Sequence, residues 1–366
     1  MTETLPIRLT PSDHPLPAAD RAARMADPGF GRVFTDHMVT IRWTRAHGWH
    51  DAELRAYGPL TLDPAAVGLH YGQSIFEGFK AYRHPDGTVA TFRPEANALR
   101  FQASARRLCL PELPVDTFVA AVDALVRQDR EWVPQDPLQS LYLRPFMLAT
   151  ETLLTVHPAD EVLFVLIAFP AGDYFPRGVE PVHVWVTQQY VRASPGGTGA
   201  AKCGANYAAG LLAQVEAAEQ GCDQVVCLDA VERRWVEELG GMNLYFVHGS
   251  GPGARVVTPR LTGTLLPGVT RDSLLTIAAD LGHPVEESRV ALEDWRRGCA
   301  DGTVTEVFAC GTAAVVTPVA SVRTPDDAWT VGDGTRGPVT MRLREALLAV
   351  QTGRAPDPHG WLRRVD

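Results

Sequence analysis

Apolar and polar positions follow strand-like and helical spacings in turn along this chain, and together they predict a mixed α+β protein. Residues 88–93 form a short β-like run that Arg93-Pro94 ends. Residues 94–108 then carry a helical pattern. A second helix is predicted over 115–126, with Phe118, Val119, Val122, Leu125 and Val126 on one face. Residues 140–149 and 162–169 read as strands. The second is apolar throughout, as a strand buried on both faces should be. Residues 170–181 are rich in Gly and Pro and read as a linker. Beyond it come a strand at 182–187, a glycine-rich loop, and a helix over 207–220 with Asn206 as its cap and Gly221 as its stop. Ala208, Leu211, Leu212, Val215 and Ala218 form the apolar stripe of that helix. Strands at 224–228 and 243–247, a helix over 270–281, a strand at 304–309 and a closing helix over 339–350 complete the pattern. Residues 1–31 read as an extended arm.

These patterns divide the chain into an N-terminal α/β domain (1–172), a linker (173–181) and a C-terminal domain (182–366). The length, 366 residues, suits two domains. With 45% hydrophobic and 21% charged residues, the mix is that of a globular chain with ample core. A net charge of −9 argues against a nucleic-acid or anionic-membrane surface, and no apolar run reaches membrane-spanning length. The N-terminus lacks the apolar stretch of a secretory signal. The six cysteines show neither CxxC nor metal-type spacing, so reduced thiols in a cytoplasmic protein and no metal site are expected.

Of the 34 basic residues only Lys80 and Lys202 are lysine. Arginine serves wherever charge alone is needed, so the two lysines are candidates for chemistry that a guanidinium cannot do. Lys202 lies among the small residues of 196–207, open to close approach by a cofactor. Residues 196–203 resemble a phosphate-binding loop of the GxxxxGK(S/T) type, but Ala201 stands where the last glycine must be and Cys203 replaces the magnesium-binding hydroxyl. Gly249-Ser250-Gly251-Pro252-Gly253 precedes no long helix and reads as a hairpin loop rather than a dinucleotide fingerprint. Leu266-Pro267-Gly268-Val269-Thr270-Arg271 runs into a helix. It is either an ordinary N-terminus or a phosphate seat built from free N–H groups. Gly311-Thr312-Ala313-Ala314, after a strand, offers a second turn of small residues. Glu238, just ahead of a strand, is either a solvated edge or the partner of a heteroaromatic nitrogen; Glu237 reads as surface.

Taken in order, these segments resemble the branched-chain amino acid aminotransferases, enzymes of pyridoxal 5′-phosphate (PLP) fold type IV. The resemblance runs from about Phe30 to the C-terminus. Its anchors are Leu69-His70-Tyr71-Gly72-Gln73-Ser74-Ile75-Phe76-Glu77-Gly78-Phe79-Lys80-Ala81-Tyr82, Phe92-Arg93-Pro94 with Asn97 and Arg100, and Leu141-Tyr142-Leu143-Arg144-Pro145. Lys202 with Asn206-Tyr207, Glu238-Leu239-Gly240-Gly241-Met242-Asn243, the 266–271 turn and Gly311-Thr312-Ala313 follow. The resemblance implies a smaller N-terminal α/β domain and a larger C-terminal domain with a β-barrel-like core flanked by helices.

It also implies roles. Lys202 carries PLP as a Schiff base and shuttles the proton at the substrate Cα. Glu238 pairs with the pyridine nitrogen, and Tyr207 bonds the ring hydroxyl oxygen. Arg100, the Val269 and Thr270 amides and Thr312 hold the phosphate, and Leu266 and Gly268 are also cofactor-binding. Thr312, Ala313 and Tyr142 address the substrate carboxylate. Tyr71, Phe76, Tyr174, Leu154 and Val156 wall the apolar side-chain pocket, with Tyr71 and the 154–156 loop supplied by the partner of a homodimer with shared active sites. Arg144 at the pocket edge is placed to meet a glutamate side chain. Lys80 falls on a position without chemical duty.

The implied reaction exchanges the amino group between L-leucine, L-isoleucine or L-valine and 2-oxoglutarate, giving the branched-chain 2-oxo acid and L-glutamate. A D-amino acid aminotransferase or PLP lyase of the same fold, and a PLP-holding scaffold without catalysis, are the competing readings. Retention of Lys202, Tyr207 and Glu238 argues against the scaffold. Two departures stand out: Gly241 where many members carry Thr or Ser, and Ala205 where a second Gly is common.

Overall fold

The structure, a computed structural model, describes residues 5–172 and 179–365. The chain forms two compact units. The first is Met1–Tyr174 together with Ala201–Gly204 and Val350–Asp366; the second is Phe175–Ala200 with Ala205–Ala349. A single cut at the 173–181 linker therefore does not separate them. Two later segments, Ala201–Gly204 and Val350–Asp366, return to the first unit.

In the first unit, one sheet runs in the order Arg8–Thr10, Gly48–Ala56, His37–Thr44, Glu161–Ala171, Ser140–Ala149, Phe79–Arg83, Val89–Phe92, Leu362–Val365, with Ser74–Phe76 also on Ser140–Ala149. The strand predicted at 140–149 forms over that span. The one predicted at 162–169 runs to Ala171, into the expected linker, because its partner Ser140 still pairs with Ala171. Helices Pro94–Arg107 and Val115–Gln128 cover the sheet. Pro94 opens the first of these, where its missing N–H costs no helical bond. Phe101 and Phe118 from the two helices meet Phe164 of the sheet at ring separations of 5.6–6.1 Å. All three rings are fully buried.

Two expectations about this unit are corrected. The N-terminal arm is partly folded: Arg8–Thr10 pairs parallel with Gly48–Ala56, and Ala18–Ala26 is a helix. The strands His37–Thr44 and Gly48–Ala56 had no counterpart in the sequence pattern.

The second unit holds a closed ring of six strands. Val236–Leu239 pairs with Gln224–Leu228, which pairs with Val182–Val186, then Val315–Arg323, Val304–Gly311 and Met242–His248, which pairs again with Val236–Leu239. Closure leaves these six without free edges. This is the barrel-like core that the resemblance implied. Arg255–Pro259 and Val285–Ser288 extend the sheet beyond Met242–His248. Trp295, Phe246 and Trp329 pack edge-on at 5.2 and 5.9 Å in its core.

The helix predicted over 207–220 is two, Gly204–Ala208 and Leu211–Glu219, parted at Ala209-Gly210. Its expected apolar stripe is turned outward: Leu211, Leu212 and Val215 are exposed. Ala213 and Ala217 are buried instead, packed with Trp185, Cys222 and Val225. Asn206 lies inside the first short helix, so it is not the cap. Its carboxamide donates to the Thr198 carbonyl at 2.8 Å and accepts from the Thr198 hydroxyl at 2.7 Å, pinning the 196–207 loop.

Candidate active site

Lys202 belongs to the first unit, where the segment 201–204 is tied to strand Ser74–Phe76. Cys203 bridges Ile75, and the Phe76 N–H donates to the Lys202 carbonyl at 2.9 Å. The Lys202 N–H donates to Ser104 Oγ at 2.9 Å. Both backbone groups of the lysine are thus held, and its Nζ stands 5.0 Å from the Phe76 ring centre. Tyr142 and Arg144, two apart on Ser140–Ala149, share a face as strand geometry requires. The Arg144 guanidinium lies over the rings of both Phe76, at 5.0 Å, and Tyr142, at 5.4 Å. Its Nε is buried without a hydrogen-bond partner among the described residues. Gly78 makes room for Tyr142, because a Cβ there would overlap the tyrosine hydroxyl.

Arg100 is buried and engaged two-pronged with Glu77. Nε donates to Oε1 and Nη2 to Oε2, each at 2.7 Å, while Nη2 also reaches Asn97 Oδ1 at 3.4 Å. Glu77 is fully buried and takes a further bond from the Gly78 N–H. This fork fixes the guanidinium's orientation. The sequence reading did not single out Glu77. Its signal was an acid inside the apolar run of 75–79.

In the second unit, Glu238 is 2% exposed on Val236–Leu239. Its Oε1 accepts from the Leu266 N–H at 2.5 Å and its Oε2 lies 3.3 Å from Arg192 Nε. Arg192, absent from the sequence reading, is itself buried, and its Nη2 donates to the carbonyls of Gly199 and Thr264. Nothing in its surrounding sequence marked it. Glu237 is also buried, not surface as expected. It accepts from the Thr264 hydroxyl. Burial pushes the Glu237 carboxyl above the usual range, against the Thr264 bond and the nearby Arg192 charge.

The helix Val269–Asp280 starts one residue ahead of expectation, after Gly268, and no side chain caps it. A Cβ at Gly268 would run into the Asn243 carboxamide, whose Nδ2 holds the Leu266 carbonyl at 3.1 Å. Asn243 therefore braces the turn that presents the first amides of the helix, Val269 and Thr270 among them. Such a bare N-terminus suits an anion. Gly240-Gly241 makes a two-residue turn between the strands of Glu238 and Asn243, which are cross-strand partners. A Cβ at Gly241 would sit 3.2 Å from Tyr207 Cε1, so the glycine at this departure lets the tyrosine ring approach the turn. Thr312 and Ala313 lie in the connection between Val304–Gly311 and Val315–Arg323, half-buried.

Tyr71, Leu154 and Val156 are exposed on the first unit. Tyr174 lies outside the described residues. Lys80 is buried and pairs across the sheet with Tyr142.

The first unit thus holds a lysine fixed at both backbone groups, and the second a buried carboxylate and a helix N-terminus that no side chain caps. The family of amino-transferase class IV matches residues 74–322, and the chain belongs to it. A probable branched-chain-amino-acid aminotransferase of Streptomyces coelicolor is 63% identical over 360 residues, 98% of each chain. The branched-chain-amino-acid aminotransferase of Mycolicibacterium smegmatis is 56% identical over 364 residues, 99% of each. Among solved structures, the branched-chain amino acid aminotransferase from Escherichia coli superposes with a TM-score of 0.72 at 29% identity. The match covers 90% of this chain and 99% of that one. A second solved branched-chain amino acid aminotransferase, 30% identical with a TM-score of 0.71, holds pyridoxamine 5′-phosphate. The cofactor of the family is PLP, and the residues present fit it.

Proposed function

We propose that this protein is a branched-chain-amino-acid aminotransferase that moves the amino group between L-leucine, L-isoleucine or L-valine and 2-oxoglutarate, yielding the branched-chain 2-oxo acid and L-glutamate. One observation carries the reading. The Lys202 amine and the Arg144 guanidinium both stand 5.0 Å from the ring of Phe76. An attacking amine, an apolar wall and a cation meet at one aromatic side chain. An apolar substrate packs on the ring, and an acidic one reaches the cation beside it.

PLP, when bound, supplies the electron sink for the reaction. Lys202 Nζ holds it covalently and, as a free amine, accepts the proton from the substrate Cα and returns it. Glu238 sets a negative charge at the ring nitrogen and favours its protonated form. Tyr207 donates to the ring hydroxyl oxygen. Arg100, the amides of Val269 and Thr270 and the side chain of Thr312 hold the phosphate in the turn shaped by Leu266 and Gly268. Tyr142 with the Thr312 and Ala313 amides orients the substrate α-carboxylate. Arg144 takes the side-chain carboxylate of glutamate or 2-oxoglutarate.

The catalytic unit in this proposal is a homodimer with shared sites, in which Tyr71, Leu154 and Val156 complete the partner's apolar pocket. Their setting supports this. Helix Val67–Tyr71 is tied to the 151–153 segment through Ala66 and Thr152, and Leu69, Tyr71, Leu153, Leu154 and Val156 are all exposed. No helix among the described residues is long and apolar enough to cross a membrane. All six cysteines are free, which supports a cytoplasmic setting.

The test is steady-state transamination over a panel of L- and D-amino acids with 2-oxoglutarate. We expect turnover with L-leucine, L-isoleucine and L-valine. Preference for D-substrates, or no turnover with any branched-chain amino acid, overturns the reading.

A further inference from the structure

Glu237 and Glu238 are adjacent on one strand and so point to opposite faces. Glu238 serves the catalytic reading. Glu237 lines a separate cavity of about 240 Å³ in the second unit. The residue is 4% exposed, and its Oε2 has no hydrogen-bond partner among the described residues. Burying a polar atom unpaired is costly, so an orphan acceptor at a cavity wall marks a place for a donor. Trp235 lines the same cavity, and its buried indole N–H also lacks a partner there. The cavity therefore offers an unmet acceptor and an unmet donor.

The rest of the lining narrows the ligand. Val236, Leu265 and Pro259 are buried apolar wall. Arg260 and Arg289 are cations on an exposed rim, with the Arg289 guanidinium 5.2 Å over the Trp235 ring. Two further acids line the cavity but are engaged. Asp229 accepts four backbone N–H groups, and Glu232 meets Arg289 at 3.4 Å. The volume is below the roughly 300–1,000 Å³ of sites for drug-sized molecules. It suits a molecule of amino-acid size.

We propose that this cavity is a second binding site, distinct from the catalytic one, for a small apolar α-amino acid. The ligand's ammonium meets Glu237 Oε2, its carboxylate meets the Trp235 N–H and the rim guanidiniums, and its side chain packs on the apolar wall. Such a site reports on the catalytic carboxylate. The Thr264 hydroxyl bonds Glu237, the Thr264 carbonyl accepts from Arg192, and two residues on the Leu266 N–H bonds Glu238. Occupancy at Glu237 thus acts on the segment that holds Glu238.

Isothermal titration of the holoenzyme with N,N-dimethyl-L-leucine tests this. A tertiary amine cannot form an imine, so the probe has no covalent route at Lys202. The titration is repeated in saturating 4-methylvalerate, which has the leucine skeleton without the amino group and occupies the catalytic pocket. We expect saturable binding that 4-methylvalerate leaves in place and that Glu237→Gln weakens about 10-fold or more, the effect of losing a charge-assisted hydrogen bond. Val231→Trp, at a 72% exposed lining position, should also abolish it. No saturable binding, displacement by 4-methylvalerate, or affinity unchanged in either folded variant overturns the proposal.

Discussion

Arg192 sets its Nε 3.3 Å from Oε2 of Glu238, and both residues are buried. With the Leu266 N–H on the other oxygen, the carboxylate is fixed in place. Glu237, one residue earlier, faces a different environment and is held by Thr264. The two acids are therefore not interchangeable.

Glu238→Gln should lower turnover by roughly 10²-fold or more, the scale for a positioned catalytic group, while PLP stays bound. Glu237→Gln should retain most activity with the normal substrates. Steady-state kinetics of the two variants checks the assignment, and equal losses would place the wrong carboxylate at the ring nitrogen.

Lys202, not Lys80, should carry the cofactor. Lys80 is buried on the central sheet opposite Tyr142, which suits a bracing role. Borohydride reduction of the holoenzyme followed by peptide mapping should find pyridoxyl on Lys202. Label on Lys80 alone would refute this.

The Glu77–Arg100 pair separates stability from cofactor binding. Removing one partner of a buried ion pair costs about 3–5 kcal/mol, whereas replacing both with apolar groups of similar volume is often neutral. Glu77→Gln should lower the unfolding free energy of the apoprotein by about that amount. The double change Glu77→Leu with Arg100→Met should recover most of it. PLP affinity should stay low in the double variant, because the phosphate contact is gone. Denaturant unfolding and equilibrium dialysis of PLP read the two effects independently; recovery of both would remove Arg100 from the phosphate site.

Four of the six thiols should be inert at neutral pH. Burial pushes Cys227 up to about 12 and Cys299 to about 11, and raises Cys222 and Cys310 as well. The thiolate is the reactive form, so native alkylation should reach the exposed Cys109 and leave these four unlabelled. The same shifts set a pH dependence. Above about pH 9 the unfolded chain loses thiol protons that the folded chain keeps. It then binds fewer protons than the native state, and stability falls as pH rises from 9 through the folded values. Mild peroxide should not inactivate the enzyme; reversible loss restored by a thiol reductant would contradict this.

How far the sequence was legible follows from the kind of signal. Strand Ser140–Ala149 and helix Val115–Gln128 were readable because burial there follows local periodicity. The stripe of Leu211, Leu212 and Val215 misled for the converse reason. The close approach of that helix to Trp185 and Val225 takes the small residues Ala213 and Ala217, and the larger residues are left outside. The segments around Glu238 and Lys202 stood out through motif order. Arg192 did not, because its partners Gly199, Thr264 and Glu238 come together only through the fold. Glu77 sat inside a recognised motif but appeared as a break in an apolar run, and only its bond to Arg100 gives it meaning.

Arg144 is where one pocket must serve two unlike side chains. Its guanidinium rests on the Phe76 and Tyr142 rings, and its buried Nε has no partner among the described residues. An aromatic bed holds a cation without neutralising it. Tyr142 faces the same way. In the proposed function it addresses the α-carboxylate that every substrate carries, and Arg144 only the second carboxylate of glutamate or 2-oxoglutarate. A hydrogen bond to a charged group is worth roughly 1.5–3 kcal/mol, or about 10- to 150-fold in kcat/KM. Arg144→Met should weaken the glutamate half-reaction by about that factor and leave the leucine half-reaction nearly intact, since methionine keeps apolar contact with Phe76. If Arg144 only braces the strand, both half-reactions and thermal stability should fall together. Single-turnover spectra of the two half-reactions, taken beside a melting curve, separate the outcomes, and parallel losses would end the specificity role.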